Sequence, residues 1–507
     1  MKIKIFKLLF LFAVLTGLTQ NLQSQIIWDD KIEGDYFRHV LEKHKELVSI
    51  PNLPESDENM MKNVEWVSKE FKDLNYEVKV LESSTLPILF LEKNYDSKNK
   101  TVLYYFHLDG QPVNPDNWNQ KNPFEPVLKQ KNEDGSFTEI SWDKINGKID
   151  DDWRVFGRAA ADDKAPIIMF LAALNLLEKN NLEPEFNVKV VIDLQEEYNS
   201  DAFLSTLDKY KNIYASDYMI IMDGPAHTTN KPTLTFGCRG VATCTITTFG
   251  SKLPQHSGHY GNYVANPVFG LSRILSTIKD ENGKVLIKGY YDGIEISPEV
   301  AAILNAVPDE KSSIDSELMI AEAESVGNNY QESLQYPSFN VRQIGTSWNG
   351  DKPKTVIPEY AIANIDVRLV KETDGQKQLD KIQAHLVGLG YHVIDRDPTD
   401  EERLKFPKLV KFIGTPSVNA FRTEIDSDFG NKLRAALTKT FNEEPVIIRT
   451  MGGTVPIIDA IQALDVPAII VPMVNMDNNQ HNPNENIRIG NIREGIKICL
   501  SLFQTEL

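Results

Sequence analysis

Hydrophobic and polar positions alternate with two different periods along this chain, and the change of period divides it. Helix-period apolar spacing covers roughly residues 35–47 and 59–74, separated by the Pro-broken "VSIPNLPES". Apolar, β-prone runs follow at "YEVKVLE", "ILFLEKN" and "TVLYYFHLD". After a long polar stretch, "APIIMFLAALNLLEKN" is apolar most of the way round, which predicts a well-buried helix. "NVKVVIDLQEE" and "YMIIMDG" predict buried strands. Strands alternating with helices predict an α/β domain around a mostly parallel sheet.

Near Gly240 the texture changes. "VATCTITTF" and "AIANIDVRLV" alternate strictly, as strands with one wet face do. "NPVFGLSRILSTIKD" and "GQKQLDKIQAHLVGLG" have the helix period, and "YHVIDRD" predicts one more strand. This is the content of a small α+β, open-faced sandwich of ferredoxin-like type. From about Phe421 the buried pattern returns, with helix "DFGNKLRAALTKTF", strand "PVIIRT", helix "PIIDAIQAL" and strand "PAIIVPMV". The expected division is a leader over 1–25, a catalytic domain over 26–240 and 416–507, and an inserted lid over 241–415. The polar insert at 117–153 has no assigned role.

Composition narrows the partners. The chain has 507 residues and a net charge of -18. That balance disfavours nucleic acid, which calls for clustered Lys and Arg. Three lysines precede an apolar run from Leu8 to Leu18, and small and polar residues follow up to Gln25. The run is short for a membrane span and has the layout of a signal peptide. Export to the periplasm or the medium is therefore expected, with no membrane span after cleavage. The 3 cysteines, Cys238, Cys244 and Cys499, cannot make a disulfide framework.

The chemistry collects where apolar runs stop. His107 and Asp109 end one strand, Asp162 and Asp163 precede a helix, and Glu196 and Glu197 follow another strand. Asp223 follows "YMIIM", and His481 lies in "NNQHNPNE". In parallel α/β sheets, sites form beyond the carboxyl ends of the strands. Imidazoles and carboxylates gathered there suit a pair of divalent cations about 3.5–4 Å apart. His107 would ligate through one ring nitrogen while Asp109 held the other N–H. Any one of these motifs alone is commonplace, as a capping acid or a solvated turn.

Together, "FHLDGQPV", "GRAAADDKAP", "LQEEYNS", "MDGP" and "HNPNE" resemble the M20 metallopeptidases, over essentially the whole chain after the leader. The resemblance implies His107, Asp162 and Asp223 around one ion and Asp162, Glu197 and His481 around the other. It implies Zn2+ as the usual metal, with Co2+ or Mn2+ able to substitute, and Glu196 as general base supported by Asp109. "QHSGHYGNYVANP" resembles the lid motif whose His, here His256, stabilises the oxyanion, often across a homodimer. Arg368, with Gly452, Gly453 and Thr454 of "MGGTVP", matches the group that grips a substrate carboxylate. Ala159 and Ala165 replace usual glycines, "EEYNS" lacks the common glycine, and Asn262 and Tyr263 stand where paired glycines are frequent.

The expected activity is hydrolysis of dipeptides or short peptides with a free C-terminal carboxylate. An N-acyl amino acid deacylase would use the same scaffold and catalytic residues. A non-catalytic peptide-binding protein is the alternative from another class, disfavoured by the intact Glu196 and the complete ligand set.

Overall fold

The computed structural model describes residues 32–348 and 354–507. The leader expected over 1–25 lies outside the described residues.

The larger body is built on an eight-stranded sheet. Its middle strands Asn187–Asp193, Thr101–His107, Tyr218–Ile221 and Ala468–Ile470 run parallel. An antiparallel hairpin, Glu77–Leu81 with Ile88–Lys93, forms one edge. The parallel pair Thr233–Thr235 and Val446–Ile448 forms the other. The strand Thr101–His107 explains the unbroken apolar run. Tyr104 and Phe106 join the core on one face, and Leu103 and Tyr105 join the core on the other. A strand covered on both faces has no wet side and so no alternation.

Lys164–Lys179 is the helix predicted to be buried, and it packs with the C-terminal helix Ile489–Phe503 on one face of the sheet. The two helices approach so closely that a Cβ on Gly495 would lie 2.2 Å from Met169 Sδ. Asp201–Tyr214 and Ile458–Leu464 cover the opposite face.

The smaller body is an antiparallel-rich sheet in the order Asn340–Thr346, Tyr360–Leu369, Gly240–Phe249, Leu409–Val418, His392–Ile394. Pro267–Leu275 and Gly375–Gly388 pack on it. Tyr360–Leu369 alternates buried and half-buried residues along its whole length, as its sequence predicts. The chain passes between the bodies where Gly237–Cys238 pairs with Phe421–Arg422. A Cβ on Gly240 would sit 2.4 Å from Val418 O, so only glycine fits this crossing.

Two regions exceed the sequence reading. The insert contributes Val127–Lys131 and Phe137–Ile140 to a four-stranded sheet with Arg154–Phe156 and Asn486–Arg488. Arg154–Phe156, just after the insert, is the strand that pairs with the segment following His481. In the lid, residues 276–339 carry the helices Pro298–Ala306, Lys311–Glu317 and Tyr330–Ser333.

Candidate active site

The five predicted motifs meet at one rim of the large sheet. His107 is the last residue of its strand. Asp162 lies just before the buried helix, on the N-terminal side of a cis peptide bond to Asp163. Glu196 and Glu197 open a single helical turn after Asn187–Asp193, and Asp223 follows Tyr218–Ile221. His481 comes from the loop before Asn486–Arg488.

The distances define two groups with one shared member. His107 Nε2 lies 2.9 Å from Asp162 Oδ1 and 3.9 Å from Asp223 Oδ1. His481 Nε2 lies 3.2 Å from Asp162 Oδ2 and 3.1 Å from Glu197 Oε2. Thus His107, Asp162 and Asp223 can converge on one point, and Asp162, Glu197 and His481 on another. Each Asp162 oxygen serves a different group. Glu197 Oε1 is buried with no hydrogen-bond partner, a costly state for a carboxylate unless a cation stands there. Two imidazoles and three carboxylates with this orphaned oxygen fit a pair of borderline divalent ions.

Asp109 faces the other ring nitrogen of His107 and also holds the loop of the acid pair. Its Oδ1 lies 3.4 Å from His107 Nδ1, in ion-pair range, yet that nitrogen makes no hydrogen bond. The carboxylate also accepts the backbone N–H of Glu196 at 3.0 Å and of Glu197 at 3.1 Å. Turning that tight loop places Asn199 and Ser200 at φ 78 and 55, where an L residue is strained. Here lies the position at which "EEYNS" lacks its glycine.

Burial dominates the electrostatics. It pushes the Glu196 carboxyl well above its ordinary range, against the lowering effect of His107. It likewise lifts Glu197 to about 7 and Asp223 to about 6. Burial would raise Asp162 too, but hydrogen bonds with His107 and His481 outweigh it and hold that carboxyl low. So many acids in a dry pocket are held apart from their ordinary ionisation until positive charge enters.

Sequence reasoning missed the supports. Glu485 is fully buried, accepts the N–H groups of Ala161 and Asp162 at 2.9 and 3.0 Å, and pairs with Arg158 at 2.7 Å. Gln111 Nε2 donates to Glu197 Oε2 at 2.8 Å. An acid four residues after His481, inside "HNPNE", was the available signal for Glu485.

The other predicted residues lie in two places. Arg368 Nη1 donates to Thr454 Oγ1 at 2.9 Å, so the lid arginine reaches the loop that holds Gly452 and Gly453. His256 is exposed on the lid; its Nδ1 accepts from Gly258 N–H at 3.0 Å and its ring stands 4.9 Å from His259. Its described side-chain contacts stay within its own loop, while its backbone pairs with Val356.

Paired ligand groups sharing a carboxylate, on the carboxyl rim of a parallel sheet, define a metal-dependent hydrolase. The family model described as peptidase family M20/M25/M40 matches residues 103–505, and the chain belongs to that family. It is a metal-dependent peptidase. Among its relatives, the Cys-Gly metallodipeptidase dug1 of Schizosaccharomyces pombe is 26% identical over 424 residues, 81% of each chain. The Beta-Ala-His dipeptidase of Homo sapiens is 25% identical over 427 residues, 82% of this chain and 77% of that one. In fold, an M20 family metallo-carboxypeptidase from Sulfolobus solfataricus matches with a TM-score of 0.70 at 23% identity, covering 92% of this chain and 98% of the other.

The comparisons also correct one expectation. Export, expected from residues 1–25, is withdrawn: the relatives matched, Cys-Gly metallodipeptidases among them, do not support it. The leader pattern that suggested it falls outside the described residues. Among those residues no helix is long and apolar enough to cross a membrane.

Proposed function

We propose that this peptidase is a dinuclear dipeptidase, cleaving the amide bond of dipeptides or short peptides with a free C-terminal carboxylate. The single observation that carries the reading is the sharing of Asp162 between the two three-residue groups, with Glu196 next to Glu197 in the same turn. Relatives named for Cys-Gly and Beta-Ala-His dipeptides support the substrate class.

His107, Asp162 and Asp223 would hold one ion, and Asp162, Glu197 and His481 the other, with Zn2+ favoured by the mixed imidazole and carboxylate set. Bound there, the ions supply Lewis acidity and acidify water towards neutrality. Glu196 takes the proton of the attacking water and returns it to the leaving amine. Its burial suits it to both tasks, because a raised carboxyl pKa makes it a better base and still a competent acid near neutral pH. Asp109 fixes the main chain of that glutamate. Arg368 and the loop of Gly452, Gly453 and Thr454 grip the substrate carboxylate, a planar fork being suited to it. His256 completes the site from the lid of a second copy in a homodimer, by donating to the developing oxyanion.

The test is metal analysis of purified protein joined to a substrate panel. Two ions per chain with dipeptides cleaved ahead of N-acetyl and N-succinyl amino acids is the expected outcome. Preference for the N-acyl compounds would move the assignment to a deacylase.

A further inference from the structure

The loop that follows Val446–Ile448 is held from outside its own domain. Gln335, in the lid segment after the short helix Tyr330–Ser333, is only 1% exposed. Its Oε1 accepts Arg449 Nη1 at 2.6 Å and Thr450 Oγ1 at 3.1 Å. Its Nε2 donates to Gln331 O at 3.1 Å, which fixes the amide's orientation. The neighbouring Tyr336 O accepts Arg239 Nη2 at 2.6 Å. The main chain of Arg239 in turn donates to Met451 O and Gly453 O, and its carbonyl accepts Thr454 Oγ1 at 2.6 Å.

Apolar packing backs this seam. Val307 of the lid clusters with Val446 and Ile448, with Met451 against them. A Cβ on Gly452 would meet Leu334 Cδ2 at an ordinary 3.5 Å. Residues 451–454 are therefore gripped between Arg239 on one side and the lid segment on the other. Arg449 is 7% exposed, and its Nη1 donates to a neutral amide, that of Gln335. A buried guanidinium satisfied in this way loses much if the amide is withdrawn.

We propose that Gln335 is a positioning residue for the peptide substrate: acting through Arg449 and Thr450, it sets residues 451–454 from the lid. The inference rests on the reading of those residues as the carboxylate-binding loop. The lid then does more than supply Arg368 to that loop. It also fixes the backbone beside which Arg368 works, so lid and loop move as one unit when substrate binds.

The experiment compares wild type with Gln335→Leu, which keeps the bulk and loses the acceptor, and with Gln335→Glu, which keeps an acceptor for Arg449 and Thr450. Amide hydrogen exchange of residues 449–454 is read alongside the kinetics of a dipeptide and of its C-terminal amide. In Gln335→Leu, exchange rises across the loop and KM for the free dipeptide rises about tenfold, with kcat little changed. The same variant leaves KM for the amide unchanged, and Gln335→Glu restores both readouts. Unchanged exchange in Gln335→Leu, or kcat and KM shifted alike for acid and amide, would overturn the proposal. Faster exchange in an enzyme whose wild type does not distinguish acid from amide would refute the carboxylate reading while leaving the brace in place. Should Gln335→Leu fail to fold, Arg449→Met removes the same brace from the other side and should show the same split.

Discussion

Asp109 Oδ1 accepts the backbone N–H of Glu196 at 3.0 Å, so the end of one strand fixes the start of the loop carrying the proposed base. The companion oxygen takes Glu197 N–H at 3.1 Å, and two adjacent acids are thereby aimed together. Asp109→Asn turns one acceptor into a donor that faces an N–H. It should lower kcat by about 10–100-fold while leaving far-UV circular dichroism unchanged. Full activity in the variant would remove Asp109 from the supporting framework.

Glu196→Ala should keep its metal and lose turnover by about 10²–10⁴-fold. Metal content by plasma emission, measured on the same sample as the rate, separates loss of the base from loss of the ions. A variant with a normal rate would refute the assigned base.

His481→Ala removes the only imidazole of the Asp162, Glu197 and His481 group. Metal content should fall from two ions towards one per chain. Retention of both ions at low free metal would strike His481 from the ligand set.

Acid should weaken the fold at His44. This ring is fully buried, its Nε2 lies 2.8 Å from Ala160 O, and its Nδ1 has no partner. Burial holds its pKa down at about 4. The folded state thus binds fewer protons than the unfolded state between pH 6.5, the ordinary value, and about pH 4. Its contribution is fully present above that window and is lost as pH falls through it. Urea unfolding should show about 2 kcal/mol less stability at pH 5 than at pH 7.5 from this group. His44→Gln should flatten that part of the slope, and an identical slope would exclude His44 as its source.

If His256 serves the neighbouring subunit, His256→Ala and Glu196→Ala are defects in different halves of one site. Mixed and reassembled, the two inactive proteins should recover activity above either parent. Sedimentation of an active monomer would instead place His256 in its own subunit's chemistry or outside it.

The sequence exposed the site better than the scaffold around it. Every ligand candidate but His481 lies at the end of an apolar run or just before a helix, because burial writes the run and chemistry interrupts it. Tyr360–Leu369 was legible for the related reason that one face is buried and one is not. Its neighbour Asn340–Thr346 was invisible, since most of its residues are exposed and leave no alternation to read. The insert was opaque because short strands such as Phe137–Ile140 bury little of themselves. Glu485 and Gln335 escaped for another reason. They act on main-chain groups and on a guanidinium far away in sequence, and no local pattern announces such partners.

The pairing of Arg154–Phe156 with Asn486–Arg488 has a temporal consequence. A ribosome delivers His481 and its anchoring strand long after the other four ligand candidates have emerged. A chain halted before residue 481 can therefore assemble only the His107, Asp162 and Asp223 group, and the second group waits on this late segment.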